Sequence, residues 1–487
     1  MTRTPGSFVC AALLLGAGFP QSAATEPHGP PPGLVPPMSI HQLEWLEHRG
    51  KPLPELPLPR VAPLEAASRA ALRKTVFGFM PYWKVGDLSR VKWDLLSHVA
   101  YFSVDLGADG SVTNQTGSYA WPSGAYVAAL REAARAAGVK VVLTATNMTG
   151  SSITSLLGSA AARQAAISNL VALVQGSGDG VNIDLEGVPA SQRENLVTFV
   201  KDLAEAMHAA VPGSHVSLCT PAVDWSAVFD YEALASACDG LFVMAYDYHW
   251  RSGSEAGPCS PLQGGTPWSK YAVTWTVDDY LAKVSAGNRG KVILGFPHYG
   301  YVWPTASTSV PSATTAAGSS MTYDVAVANA VQHGRLWDAV SSTPYYVHTT
   351  GGAHQGWYDD AESLGQKCDL VLSRDLGGTG IWALNYAISD DLVWEALRTR
   401  FAAPACTVAC TASGPDAGRA GESLAFASTA TTADCEGAVV SAWSFGDGAT
   451  SAEWSPRHVY ASPGTYDWTF TASVGAVRCA KTGRVVV

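Results

Sequence analysis

The pattern of apolar and polar positions divides the chain into three stretches. From about residue 74 to 401, short apolar runs alternate with Ala-rich amphipathic segments. Strands are predicted at Val76–Met80, His98–Val104, Val139–Ala145, Gly180–Glu186, His215–Thr220, Gly240–Tyr246, Lys291–Phe296 and Gly378–Leu384, with helical patterns such as Ala125–Ala137, Ala160–Val174, Ser191–Ala210 and Val277–Ala286 between them. Eight strand–helix repeats over roughly 325 residues predict a (β/α)8 TIM barrel. An open doubly wound sheet is the competing architecture, but no Gly-x-Gly-x-x-Gly follows the first strand. The 73 residues between the last two strands (304–376) exceed an ordinary connection. They predict a small α+β insertion, with a helix at Asp324–Val331 and a strand at Tyr345–Val347, forming one wall of a cleft. After Pro404 the pattern becomes short alternating strands (Ser423–Ser428, Val439–Phe445, Tyr466–Ala472, Arg484–Val487), an all-β sandwich of about 84 residues.

The chain's chemistry concentrates on Asp179-Gly180-Val181-Asn182-Ile183-Asp184-Leu185-Glu186. Strand alternation sends Val181, Ile183 and Leu185 one way and Asn182, Asp184 and Glu186 the other. An inward polar row ending in a carboxylate must pair internally or serve a ligand, because unpaired burial is costly. Two neighbouring carboxyls in a shielded site do not both ionise, so one holds its proton near neutrality and serves as a general acid. Barrel active sites lie at the carboxyl ends of the strands. Aromatic and acidic residues recur there: Tyr82 and Trp83 after the first strand, Met244, Tyr246 and Asp247 at the sixth, Tyr301 after the seventh, Trp382 at the eighth. Such a cleft suits sugars, whose ring faces stack on aromatics while acids hold the hydroxyls.

Composition narrows the partners. A formal charge of −10 argues against nucleic acid, and no basic amphipathic stretch points to a membrane surface. Residues 1–24 read as an export signal (Arg3, an apolar run Phe8–Phe19, then Ser22-Ala23-Ala24), so a secreted, extracellular protein is expected. Residues 25–73 read as a Pro-rich linker, interrupted by a short helix at Ser39–His48 with Ser39 as N-cap and no chemistry of its own. Of nine cysteines, Cys10 falls within the signal; Cys219, Cys238, Cys259 and Cys368 lie in the middle, and Cys406, Cys410, Cys435 and Cys479 in the last 82 residues. Even counts in each region of an exported chain favour disulfides over metal, with pairings open. Neither cofactor nor metal is expected, and a monomer acting on a polysaccharide fits these features.

Residues 74–401 resemble glycoside hydrolase family 18, the chitinase-like hydrolases. The resemblance rests on Asp-Gly-x-Asp-x-Asp-x-Glu at 179–186 with Asn182 as the single departure, on Met244-x-Tyr246-Asp247, on Trp382, and on Tyr358-Asp359-Asp360 with Ser363-Leu364. It implies cleavage of β-1,4-linked N-acetylglucosamine polymers, chitin above all, with the substrate's acetamido group as nucleophile. Glu186 would be the acid and Asp184 the partner of the acetamido N–H. Tyr246 would bond the acetamido oxygen, Asp247 would position the sugar, and Trp382 would floor the subsite. Asn182, still able to bond Asp184, and Gly187-Val188-Pro189 look like the branch of bacterial cell-wall and spore-cortex lytic hydrolases, so a peptidoglycan N-acetylglucosaminidase is the alternative. A non-catalytic chitin-binding lectin is disfavoured by the retained Glu186. Residues 404–487, with Trp443-Ser444-Phe445-Gly446-Asp447-Gly448 and Gly464-Thr465-Tyr466, resemble a PKD domain, an immunoglobulin-like β-sandwich.

Overall fold

The computed structural model describes residues 38–53, 71–85, 88–387, 390–404, 406–435 and 437–487. The export signal and most of the Pro-rich stretch lie outside the described residues. Eight parallel strands close into a barrel: β1 (Thr75–Pro81), β2 (His98–Leu106), β3 (Lys140–Asn147), β4 (Gly180–Leu185), β5 (His215–Pro221), β6 (Gly240–Met244), β7 (Val292–Pro297) and β8 (Gly378–Trp382). Closure is made by β1, which pairs with β2 through Phe77–His98 and with β8 through Thr75–Gly378. All eight predicted strands are present.

Strand alternation sorts the core into two layers. Val76, Met80, Val181, Ile183 and Leu185 face the surrounding helices. Phe77, Phe79, Phe102, Val142, Phe242 and Ile293 fill the barrel interior, with Phe79 set edge-on to Phe242 at 4.8 Å. Gly380 on β8 is required by this packing: a Cβ there would sit 1.9 Å from the Phe242 ring.

Between β7 and β8 lies the expected insertion, a five-stranded antiparallel sheet with the helix Tyr323–His333 against it. Its exit is held by Asp360, which caps the helix Ala361–Ser373 in a capping box with Ser363. Beside it, buried Lys367 pairs with Asp359. These motif residues therefore serve the wall and not the cleft.

The C-terminal module forms antiparallel sheets around Phe426, Trp443, Phe445, Tyr460 and Phe470. Cys406–Cys435 and Cys410–Cys479 staple it. The middle cysteines correct the disulfide expectation: Cys219, Cys238, Cys259 and Cys368 are all free and buried. An interior of this size needs no covalent staple, and thiols fill it as small apolar groups.

Candidate active site

The inward row of β4 delivers Asn182 and Asp184 into the barrel, both completely buried, with Glu186 one step past the strand at the mouth. Burial first, and then the neighbouring Asp184, push the Glu186 carboxyl well above its ordinary value of 4.5. A proton is thus held where a general acid needs one. Asn182 corrects one expectation. Its amide accepts from Ser217 Oγ at 2.9 Å and donates to Cys219 Sγ at 3.3 Å, so its bonds run to β5 and not to Asp184.

β6 ends at Met244, and the turn after it presents Tyr246 and Asp247. Asp247 takes a positive φ of 58° and accepts from Tyr299 Oη at 2.7 Å and Tyr301 Oη at 2.9 Å. Burial raises its pKa, and these two hydroxyls oppose the rise. Tyr301 therefore reaches the site by holding Asp247. Tyr299, two residues earlier on the same strand face, does the same and was not singled out by the sequence.

Trp382 closes the interior side of the site, fully buried and packed edge-on to Phe102 at 4.8 Å. Trp83 stands edge-on to the same Phe102 ring at 5.9 Å and donates to Tyr386 Oη at 3.1 Å. Tyr82 does not join them. It is 1% exposed and packs in the outer layer with Met80, as its alternation with Met80 dictates.

The segment read as a linker helix without chemistry occupies this site. Helix Ile40–His48, capped by Ser39, lies across the barrel mouth with its N-terminus among the carboxylates. Ser39 Oγ donates to Glu186 Oε1 at 2.6 Å, and Ile40 N–H donates to Asp247 Oδ2 at 2.8 Å. The positive end of a helix dipole favours this placement. His41 is fully buried, with Nδ1 2.9 Å from Asp184 Oδ2 and Nε2 2.7 Å from Tyr246 Oη. Its ring stacks on Trp382 at 3.7 Å. Glu44 accepts from Tyr386 Oη at 2.7 Å and Trp382 Nε1 at 3.2 Å, and burial raises its pKa to about 8. Trp45 Nε1 donates to Asp105 at 2.8 Å, and His48 stacks on Trp83 at 4.4 Å. Burying Ile40 and Trp45 contributes on the order of 1.5–3 kcal/mol each. The recoverable signal was the spacing of His41, Glu44, Trp45 and His48, which puts two His and a Glu on one helical face with an aromatic.

Beyond Glu186, on the side the helix leaves open, a cavity of about 850 Å³ is lined by Met244, Trp225, Tyr248, Trp250, Trp268 and Tyr271. His41, Asp184 and Cys219 bring ligand atoms within 4.8 Å of one another. Both His41 nitrogens, however, are engaged by Asp184 and Tyr246, and burial holds the Cys219 thiol protonated.

Comparison with known proteins agrees with this architecture. The di-N-acetylchitobiase of Rattus norvegicus is 30% identical over 257 residues, covering 46% of this chain and 67% of that protein. The chain spans about two thirds of the length of the first relatives it matches. Among solved structures, a GH18 chitinase from Cycas revoluta in complex with (GlcNAc)4 superposes with a TM-score of 0.58 at 21% identity, covering 67% of this chain and 99% of that one. The Bacillus cereus spore cortex-lytic enzyme SleL gives 0.54 at 18%, covering 69% and 75%. The PKD domain model matches residues 406–487. The model described as "Glycosyl hydrolases family 18" matches residues 75–387, and the chain belongs to that family.

Proposed function

We propose that this protein is a secreted, monomeric glycosidase that cleaves β-1,4 linkages of N-acetylglucosamine polymers, chitin in the first place, with retention of configuration. The observation that carries the reading is Glu186 at the mouth of a barrel, its carboxyl pushed well above the ordinary carboxylate value by burial and by buried Asp184 beside it. Glu186 gives its proton to the glycosidic oxygen as the C1–O bond breaks. The carbonyl oxygen of the 2-acetamido group attacks C1 and forms a bicyclic oxazolinium ion. Asp184 accepts the acetamido N–H and balances the positive charge. Tyr246 donates to the acetamido oxygen and Asp247 holds a sugar hydroxyl, backed by Tyr299 and Tyr301. Glu186, now a carboxylate, takes a proton from water as it opens the oxazolinium ion and is restored. The aromatic cavity beyond Glu186 suits the leaving sugars.

Asn182 favours a second reading, a peptidoglycan N-acetylglucosaminidase. Chitooligosaccharides and purified peptidoglycan glycan strands, compared as substrates, separate the two. Release from chitooligosaccharides with none from glucose-only cello-oligosaccharides is expected. Equal turnover of cello-oligosaccharides would remove the acetamide from the mechanism.

A further inference from the structure

We infer that residues 38–53 are an autoinhibitory plug whose His41 imidazole imitates the oxazolinium ring of the reaction, and that the chain as synthesised is a self-blocked form. The inference rests on the substrate-assisted reading for its chemistry. Its geometry stands on the contacts alone.

The five-membered reaction intermediate must present three features to the site: an N–H toward Asp184, an acceptor toward Tyr246, and a flat face toward Trp382. The His41 ring presents the same three. Nδ1 lies 2.9 Å from Asp184 Oδ2, Nε2 lies 2.7 Å from Tyr246 Oη, and the ring lies on Trp382 at 3.7 Å. In the Nδ1–H tautomer of the neutral ring, Nδ1 donates to the Asp184 carboxylate and Nε2 accepts from the Tyr246 hydroxyl, the two bonds the intermediate would make. Ser39 Oγ sits 2.6 Å from the Glu186 carboxyl, where the glycosidic oxygen would have to lie. Ile40 N–H takes the Asp247 oxygen that a sugar hydroxyl would use. Glu44 and Trp45 carry the segment onward over Tyr386 and Asp105, so further sugars on that side are excluded too. A linker helix packed for stability alone would have no reason to satisfy the acid, its anionic neighbour and the tyrosine together.

The plug is tethered to the barrel, so it competes at an effective concentration on the order of millimolar. Even a plug of micromolar intrinsic affinity would then suppress substrate binding by roughly a thousandfold at low substrate. Because plug and sugar exclude each other, the block raises the apparent KM and leaves kcat unchanged.

The test uses the full chain with a sequence-specific protease site inserted after Leu53. Cleavage followed by removal of the fragment is expected to lower the apparent KM for chitotetraose at least tenfold with kcat unchanged. A synthetic peptide of residues 38–53 should restore the block, and the same peptide with His41→Ala should not. Equal KM before and after cleavage overturns the inference. The same comparison in Glu186→Gln, read as chitotetraose binding by calorimetry, separates the two proposals. Tighter binding after cleavage with no turnover in any form would keep the plug and sink the glycosidase. Equal binding before and after would sink the plug, and no binding in either form would sink both.

Discussion

Glu44 makes the docking of the N-terminal helix pH-dependent, and substitution of that one residue isolates the effect. Docked, its carboxyl titrates at about 8 because burial disfavours the anion; free in water it returns to the ordinary 4.5. The docked state therefore binds the proton more tightly. Docking from Glu44 is full below about pH 4.5, weakens as the pH rises, and reaches its floor above about 8. Within that window the equilibrium falls about tenfold per pH unit, or ~1.4 kcal/mol. The two values give a loss of roughly seventyfold between pH 5 and 7. Groups facing Glu44 are the Tyr386 hydroxyl, the Trp382 indole, Glu47, Lys84 and, farther off, Tyr301. Other ionisable side chains under the helix (Asp184, Glu186, Asp247, His41 and His48) remain when Glu44→Gln is made. The glutamine oxygen still accepts from Tyr386 and Trp382. The assay is the ratio of apparent KM in the uncut and cut chain, measured from pH 5 to 8, so that the pH dependence of substrate binding to the open site cancels and comparison with Glu44→Gln removes the other groups. The parent ratio should fall more steeply with pH than the Glu44→Gln ratio, by close to one decade per unit. Parallel slopes, or a parent ratio rising with pH relative to the variant, would refute the reasoning.

Glu186→Gln should cost roughly 10²–10⁴-fold in kcat while chitotetraose binding to the cut chain persists, as stopped assays and calorimetry would show. Asp184→Asn should lower kcat and move the alkaline limb of the kcat profile to lower pH, because Asp184 helps hold the Glu186 proton; a pH titration of turnover reads it. Lys367→Ala leaves Asp359 as an unpaired buried charge, and chemical denaturation should show a loss of about 3–5 kcal/mol. Cys410→Ser opens a link spanning 69 residues and should destabilise the C-terminal module by about 4 kcal/mol, seen as a shifted calorimetric transition with the barrel transition unchanged.

The barrel was legible because its signal is local and repeated. Each strand is an apolar run bounded by turn residues, and β4 announces its two faces by strict alternation through Asp184. The same alternation sends Tyr82 outward with Met80, and aromatic character alone is no guide to which face a residue takes. The partners of Asn182 are hidden in the sequence because Ser217 and Cys219 come from β5, a neighbour that no spacing within β4 reveals. Parity misled for Cys219, Cys238, Cys259 and Cys368, since an even count says nothing about distance in a large core. The helix at Ser39–His48 was found, cap included, yet its role was invisible. Its partners Asp184, Tyr246 and Trp382 lie 143, 205 and about 340 residues away, and only the closed barrel brings them together.

The two ends of the barrel meet in a small clasp: Leu72 bridges to Ala402, Arg73 N–H donates to Phe401 O at 2.8 Å, and Ala403 N–H donates to Ala71 O at 2.6 Å. Tension arriving from either flank is thus borne by this seam before it reaches β1. Upstream of Ala71 the chain can therefore be cut or exchanged with β1 still tied, through this seam, to the last helix of the barrel.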